Sequence, residues 1–240
     1  MIPHDTHLQI GSLLFEGIDQ IDLTGPFEVL SRIPNSTYRI YGKTTNAVRD
    51  LRGLRLSPDA ALSEAPQLDV LHVPGGFGQE ALMEDAEVLG WIARQAAGAR
   101  SVFSVCTGAL LCGAAGLLQG RRATTHWASL HLLPLFGAIA VNERVVIDGD
   151  WVFAAGVTAG IDGALRLAAQ LRGDDAAQMI QLYMAYAPEP PFNSGTPETA
   201  PPAILAQARQ SVATITAQRE ATARRAAERL GINIPAVNAG

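Results

Sequence analysis

The sequence predicts an α/β fold in which helices cover both faces of a mostly parallel sheet. Three stretches, at 8–15, 68–73 and 101–105, are largely apolar, which is typical of strands buried on both faces of a parallel sheet. Segments with helical spacing separate these stretches, as in βαβ units. A chain of 240 residues is long enough for one such domain with a full core.

The first predicted strand, 8–15, leads through a short loop into a helix. Thr24 is expected to cap that helix, and Pro26 is tolerated in its first turn. Asp22 then stands at the carboxyl end of the strand, the edge at which open α/β sheets bind ligands. A carboxylate at a helix start is also a common surface feature, so its position alone leaves both interpretations open.

The strand at 68–73 is followed by the turn sequence Pro74-Gly75-Gly76. Before it, 37–42 is expected to form a strand and 48–56 a hairpin. Glycines at the carboxyl edge of a strand let the backbone approach a ligand and present N–H groups to an anion, although Pro-Gly-Gly also forms plain turns. His72, within the strand, is expected to be a hydrogen-bonded core residue.

Cys106 lies where the predicted strand 101–105 turns into a helix that begins at Thr107. A helix at 85–100 returns the chain to this strand. The free N–H groups and positive dipole end of the helix after Cys106 stabilise a thiolate, so the pKa of Cys106 is expected to fall. The alternative is a small buried hydrophobe, and this is the role expected for Cys112.

A further helix is predicted to start after Thr124-Thr125 and to end near Phe136. These threonines would cap it and leave His126 at its start, where an imidazole is able to approach the thiol, orient its own loop or have no role. His131, on the same helix, is a weaker candidate. The remaining elements are strands at 137–141, 145–148 and 151–155, and helices at 161–171 and 174–186.

The C-terminal part of the chain is expected to be an extension of the α/β domain. The proline-rich segment 187–197 excludes a helix or a central strand and predicts an extended arm. One long helix is predicted at 202–230, docked on the same domain or on a twin subunit. Its apolar stripe is Ile204, Leu205, Ala208, Val212 and Ile215. Its solvated basic face is expected to contain Arg209, Arg219, Arg224, Arg225 and Arg229. The predicted boundary separates the α/β domain, residues 1–186, from the arm and the C-terminal helix, residues 187–240.

Composition excludes several classes of function. The net charge of −5 gives no indication of a nucleic-acid partner, and 48% hydrophobic with 17% charged residues describes a well-packed domain. No apolar segment approaches the roughly 20 residues of a membrane helix, and no basic-then-apolar leader occurs, so a cytoplasmic location is expected. Two cysteines and no Cys/His spacing of a zinc site predict neither a disulfide framework nor a metal centre.

Several motifs carry a family resemblance. They are Ile21-Asp22-Leu23-Thr24-Gly25-Pro26, Pro74-Gly75-Gly76, Ser104-Val105-Cys106-Thr107-Gly108, Thr124-Thr125-His126-Trp127, Thr158-Ala159-Gly160-Ile161-Asp162 and Tyr186-Ala187-Pro188-Glu189-Pro190-Pro191-Phe192-Asn193. In order and spacing they resemble the ThiJ/PfpI superfamily, and within it most closely the isonitrile (isocyanide) hydratases. The resemblance spans nearly the whole chain and implies a flavodoxin-like, doubly wound fold.

The resemblance also implies a reaction, the hydration of isocyanides to N-substituted formamides through a covalent thioimidate. Cys106 would be the nucleophile, Asp22 the general acid and base, and Thr107 a further catalytic residue whose hydroxyl orients Asp22 or water. Many superfamily members have glutamate where Asp22 stands, and the shorter carboxylate resembles the hydratases.

The remaining implied roles concern the surroundings of the thiol and the assembly. Backbone N–H groups at Gly75, Gly76 and Thr107 would steady negative charge, and His126 and Val157 would support the site. The implied scheme uses water and needs no metal or other cofactor, and small members of the superfamily often form homodimers. An ionised Asp22 would raise the pKa of Cys106, whereas the helix N-terminus and a shared proton would lower it, and the sequence leaves this balance open. Our hypothesis for the resting state is a protonated Asp22 beside a charged Cys106.

Three other functions remain open. A glyoxalase, deglycase or peptidase activity would use the same cysteine with glutamate and histidine partners, which aspartate at Asp22 disfavours. A redox or ligand sensor would oxidise Cys106 reversibly. A regulator related to the AraC-type proteins would bind a ligand, but the residues after the arm are too few for its DNA-binding domain.

Overall fold

A seven-stranded sheet forms the centre of the molecule. The structure, a computed structural model, describes residues 2–232. The strands of this sheet are β1 Leu8–Leu13, β2 Ser36–Gly42, β5 Ala60–Ala61, β6 Val70–Val73, β7 Ser101–Val105, β10 Val145–Asp148 and β11 Trp151–Ala154. Their spatial order is β10-β11-β7-β6-β1-β2-β5, and only β10 is antiparallel to its neighbour. The predicted mostly parallel sheet is confirmed.

Two small pairs of strands lie outside the main sheet. The first is the predicted hairpin, formed by β3 Val48–Arg49 and β4 Arg55–Leu56. The second joins β8 Arg122–Ala123 to β9 Ile139–Ala140 in parallel. Both consist of two-residue strands, so they shape loops and add little to the core.

Helices cover both faces of the sheet, as a doubly wound fold requires. They are α1 Gln20–Leu30, α2 Gln79–Leu82, α3 Ala86–Gly98, α4 Gly108–Ala114, α5 Ala159–Arg172, α6 Asp174–Tyr183 and α7 Pro202–Arg229. One apolar core forms where α1 and α5 pack against the sheet, and a second contains α3, α4 and a 3₁₀ helix at Trp127–Phe136. None of the helices that the structure describes is long and apolar enough to cross a membrane.

Two predicted helix starts are wrong. The first helix begins at Gln20, because the Asp19 side chain accepts a hydrogen bond from the Ile21 N–H and caps it, and Thr24 lies inside the helix. The segment after Thr125 is a 3₁₀ helix whose cap is His126, where the sequence predicts a threonine cap. In both cases the cap is one of several neighbouring polar side chains that local sequence alone does not rank.

The fully buried positions of the C-terminal helix all lie in its second half. The buried positions of α7 are Arg219, Thr222, Ala223, Ala226 and Ala227, whereas the predicted stripe from Ile204 to Ile215 is exposed or half-buried. No helix or strand occurs between Met184 and Pro201, consistent with the predicted arm. The helix contacts α2, α4 and the 3₁₀ helix. The domain boundary at 186 stays a prediction, and 233–240 lie outside the described residues.

Arg172 ties the beginning of the chain to the end of α5. Its guanidinium is almost fully buried and donates hydrogen bonds to five backbone carbonyls. The acceptors are the carbonyl oxygens of Ile2, Pro3, Thr6, Pro34 and Asn35. Because each donor finds an acceptor, the burial of this charge is compensated by hydrogen bonding.

Candidate active site

Cys106 occupies the turn between β7 and α4, as predicted. Its backbone has a φ of 56°, an unusual left-handed conformation for a residue other than glycine. Two hydrogen bonds hold it: its N–H donates to the Ala154 carbonyl at 2.8 Å, and its carbonyl accepts from Thr125 Oγ1 at 2.7 Å. The site therefore fixes the thiol on a strained turn whose neighbours define its direction. The contribution of Thr125 was not predicted.

Asp22 faces the Cys106 thiol from the first turn of α1. It is fully buried, and its Oδ2 accepts a hydrogen bond from the Gly75 N–H at 3.1 Å. Its Oδ1 has no nitrogen or oxygen partner within residues 2–232, and the Cys106 thiol is the group that interacts with the carboxyl. The two residues meet because β1, β6 and β7 are adjacent and parallel, so their carboxyl ends share one edge.

The turn after β6 brings the backbone close to both side chains. A Cβ atom at Gly75 would lie 2.6 Å from Thr107 N and 3.0 Å from Asp22 Oδ2, so only glycine fits there. The Gly76 N–H donates to Thr107 Oγ1 at 3.1 Å, and that hydroxyl lies 3.2 Å from the Gly76 carbonyl oxygen. The Thr107 hydroxyl therefore binds Gly76 and does not orient Asp22, which corrects the role expected for it.

Burial sets the protonation of the pair. The pKa of Asp22 is raised to about 8, mainly by burial and next by the charge of Asp19. The pKa of the Cys106 thiol is raised well above its usual value by burial and by Asp22, while the Thr107 N–H and Arg219 lower it. The predicted fall in the Cys106 pKa, and with it the resting thiolate, is therefore wrong, because desolvation outweighs the helix N-terminus. The expected proton on Asp22 agrees with the structure.

A cavity of about 60 Å³ opens beside the thiol. Its lining is formed by Asp19, Leu51, Gly76, Phe77, Cys106, Thr107, His126, Ala128, Val157, Val212 and Arg219. His126 and Val157 thus share a cavity with Cys106, as the sequence suggested. Since the cavity is small and partly apolar, it suits the reactive end of a small molecule better than a peptide.

His126 makes no hydrogen bond to Cys106 in the described part of the chain. Its Nδ1 accepts from the Ala128 N–H at 3.3 Å, and burial, followed by the charge of Arg219, lowers its pKa to about 4. It is therefore a neutral wall of the cavity at pH 7. His131 lies outside the cavity, on a neighbouring groove.

Two residues predicted to be structural are part of the core. Cys112 is fully buried in α4, and burial raises its pKa to about 12. His72 is fully buried in β6, with its Nδ1 3.0 Å from both Ser12 Oγ and Tyr38 Oη. Its Nε2 has no hydrogen-bond partner in the structure as described, so the histidine is only half satisfied.

Arg219 is the site residue that the sequence analysis missed. The sequence predicts a solvated position for Arg219, but its side chain is only 3% exposed and lines the cavity of Cys106. The overlooked signal is the spacing of small residues after it, at Thr222, Ala223, Ala226 and Ala227, which marks this face of α7 as buried.

A larger groove adjoins the cavity. It has a volume of about 560 Å³ and runs between the 3₁₀ helix, the arm and the exposed half of α7. Trp127, Leu130 and Ala213 contribute apolar surface to it, and Ala128 and Val212 line both the groove and the cavity. The groove and the cavity are therefore next to each other.

Comparison with known proteins identifies the family. A sequence model of the DJ-1/PfpI family matches residues 9–170. An isonitrile hydratase of Pseudomonas putida is 51% identical over 225 residues, which are 94% of this chain and 99% of the relative. The HTH-type transcriptional regulator CdhR of Pseudomonas aeruginosa is 30% identical, over 65% of this chain and 47% of its own length.

Solved structures have the same fold. A ThiJ/PfpI family protein from Pseudomonas syringae has a TM-score of 0.89 and 38% identity, covering 92% of this chain and 93% of its own. DJ-1beta of Drosophila melanogaster has a TM-score of 0.68 and 20% identity, covering 76% of this chain and 100% of its own, and shares the fold alone. The sequence match over the α/β core and the matching architecture agree, and the chain belongs to the DJ-1/PfpI family.

Proposed function

We propose that this protein is an enzyme that hydrates isocyanides to N-substituted formamides. The observation that carries the proposal is the pairing of Cys106 with a buried, protonated Asp22 beside a small cavity. The 51% identity to an isonitrile hydratase, over nearly the full length of both chains, supports the same reaction.

In the first step the terminal carbon of the isocyanide gains a sulfur and a proton. Cys106 attacks this carbon while Asp22 donates its proton to it, and the proton of the thiol passes to Asp22 in exchange. The product is a thioimidate, in which the carbon is bonded to sulfur and to hydrogen and is doubly bonded to nitrogen. Asp22 begins and ends this step as a neutral acid, which its pKa of about 8 permits at pH 7.

Water completes the reaction at the same carbon. As Asp22 protonates the nitrogen it becomes ionised and takes a proton from the attacking water, which gives a tetrahedral adduct. Collapse of this adduct breaks the carbon–sulfur bond, returns a proton to sulfur and releases the formamide. The Thr107 N–H points at the sulfur, whereas the N–H groups of Gly75 and Gly76 are engaged by Asp22 and Thr107. We therefore assign the stabilisation of charge on sulfur first to Thr107.

The protonation of the site argues against the sensor interpretation. Cysteines that oxidise readily are exposed thiolates of low pKa, whereas Cys106 is buried and its pKa is raised.

Purified protein mixed with an aryl isocyanide should form the N-formyl product, which is followed in the ultraviolet. Absence of product, together with rapid oxidation of Cys106 by peroxide, would favour the sensor.

The groove beside the cavity is proposed to hold the organic substituent of the substrate. Val212→Trp places an indole where the cavity and the groove meet, so KM for a bulky aryl isocyanide should rise about tenfold or more. KM for methyl isocyanide should stay the same, because that substrate does not reach the groove. Thr214→Trp, on the exposed side of the same helix, is the control. Equal effects on both substrates would contradict this assignment.

The cytoplasmic location stays a prediction. We also propose that the protein is a homodimer. Large apolar side chains are exposed on α6 and in the arm: Met179 at 67%, Leu182 at 76%, Tyr183 at 73% and Phe192 at 78%. Met179, Leu182 and Tyr183 lie on one face of α6, and a cluster of exposed apolar side chains is typical of an interface. Light scattering should give twice the mass of the 25.4 kDa chain, and Leu182→Glu should lower it. A monomeric parent protein would contradict the proposal.

A further inference from the structure

Arg219 reaches the cysteine site from a helix outside the region of the chain that defines the family. The family match ends at residue 170, whereas α7 begins at Pro202. The first half of α7 is largely exposed, but its second half enters the protein beside the turn after β6. The cavity of Cys106 therefore has one wall that the matched α/β core does not supply.

The guanidinium of Arg219 is held at a defined place in this wall. Its Nη2 donates to the Gly76 carbonyl oxygen at 2.8 Å, and its Nε donates to Gln79 Oε1 at 3.2 Å. It also lies over the ring of Phe77, with its carbon 5.5 Å from the ring centroid. Both oxygen acceptors are neutral, so these contacts fix the position of the charge without neutralising it.

Arg219 has no ion-pair partner among residues 2–232. The acidic groups near it are Glu80, which binds the Thr222 hydroxyl, the Asp22 carboxyl, which is protonated at pH 7, and Asp19, which lines the same cavity without forming an ion pair with Arg219. Burying a cation without a paired anion is costly. A position that retains such a cation beside a nucleophile indicates that negative charge develops there during the reaction.

The positive charge of Arg219 contributes to the pKa values of the titratable groups around the cavity. It lowers the pKa of Cys106, of Asp22 and of His126. Asp22 and Asp19, at the start of α1, have the opposite effect on the thiol. His126 faces the cavity as a neutral ring, so Arg219 is the one cation among the described residues that line the cavity.

We propose that α7 completes the active site and that Arg219 is a positioning residue, whose charge stabilises sulfur as Cys106 loses its proton. This role in turnover rests on the proposed hydration. Its hydrogen bond to Gly76 also holds the turn that contacts Asp22 and Thr107. The hydratase activity would then depend on a residue outside the α/β core.

The test measures the thiol directly and does not need an isocyanide. In a Cys112→Ala background, the rate of Cys106 alkylation by iodoacetamide is followed from pH 7 to 10. Arg219→Met should shift the pH dependence of this rate to higher pH by about one unit. At a pH where the rate still increases with pH, the reaction is then roughly tenfold slower. Arg219→Lys keeps the charge and should restore most of the rate. Arg224→Gln removes an exposed charge that pairs with Glu220 on the same helix, and should leave the profile unchanged.

Turnover gives the second measurement. If the protein hydrates isocyanides, kcat should fall about ten- to hundredfold in Arg219→Met and recover in Arg219→Lys. If Arg219→Met does not fold, as judged by circular dichroism, Arg219→Gln replaces it with the same expected shift. An unchanged alkylation profile in a folded, neutral variant overturns the proposal. A shifted profile without any turnover supports the role of Arg219 and overturns the hydratase function instead.

Discussion

Cys106→Ala should reduce the hydration of an aryl isocyanide to background, a loss on the order of 10⁴-fold or more. The sulfur forms the covalent bond to the isocyanide carbon, and Cys106 carries the only thiol among the described residues that line the cavity. The measurement is the appearance of N-formyl product in the ultraviolet. Mass spectrometry of the wild-type enzyme, quenched during turnover, should detect the thioimidate as an adduct equal in mass to the substrate.

Cys112→Ala is the matched control for this result. Cys112 is fully buried inside α4 and away from the cavity, so its replacement should leave turnover nearly unchanged. Both variants lose one thiol from neighbouring parts of the same strand–helix unit. Substantial turnover by Cys106→Ala would contradict the covalent mechanism and would leave a direct attack of water, assisted by Asp22, as the remaining route.

Asp22→Asn should slow turnover about 10²- to 10⁴-fold, because the amide keeps the shape of the side chain but cannot transfer the proton. The wild-type kcat/KM should fall as the pH rises above about 8, since the neutral acid is then lost. In Asp22→Asn this alkaline limb should be absent. If kcat/KM of Asp22→Asn decreases above pH 8 as it does in the wild type, a group other than Asp22 causes the decrease.

The same substitution should stabilise the protein at neutral pH. The carboxyl has a pKa of 3.8 in an unfolded chain and about 8 in the folded protein, so the folded state holds the proton more tightly. The stability that this supplies is complete below about pH 4 and is lost as the pH rises towards 8. An asparagine does not ionise, so Asp22→Asn avoids this decrease in the free energy of unfolding, which is roughly 3 to 5 kcal/mol at pH 7.

The measurement is the difference in Tm between Asp22→Asn and the wild type. It should be larger at pH 7.5 than at pH 4.5, with the variant the more stable protein at the higher pH. Ser12→Ala, which removes a buried hydroxyl in β1 bound to His72 and not to the catalytic pair, serves as a control whose Tm difference should be the same at both pH values. A pH-independent difference for Asp22→Asn would show that Asp22 is ionised in the folded state.

The sequence predicts the order of strands and helices well, because buried parallel strands and proline-rich breaks have strong local signatures. The strand at β7, the turn at Cys106 and the long helix α7 all lie within a few residues of their predicted ranges. Helix caps are predicted less well, since Asp19 and Thr24 are both good capping residues and only the path of the chain selects between them.

The sequence predicts which residues of the α/β core form the candidate site, but it does not predict their pKa values. Cys106 and Asp22 follow β7 and β1, the two strands on either side of β6, so their proximity at one edge of the sheet follows from the fold. The pKa of each depends on burial, which requires the packing of the whole edge. Arg219 lies 113 positions after Cys106 in the sequence printed above, and no local pattern indicates which part of the sheet its helix covers.

The buried guanidinium of Arg172 has a consequence for synthesis of the protein. Its acceptors include the carbonyls of Ile2 and Pro3, which are 170 and 169 positions earlier in the chain. Leu171 adds a bond from the Ile2 N–H to its own carbonyl oxygen. As the polypeptide emerges from the ribosome, Ile2 and Pro3 therefore cannot form these hydrogen bonds until α5 has been made. Residues 2 and 3 are expected to be among the last parts of the domain to gain protection from proteases during translation, although they are made long before α5.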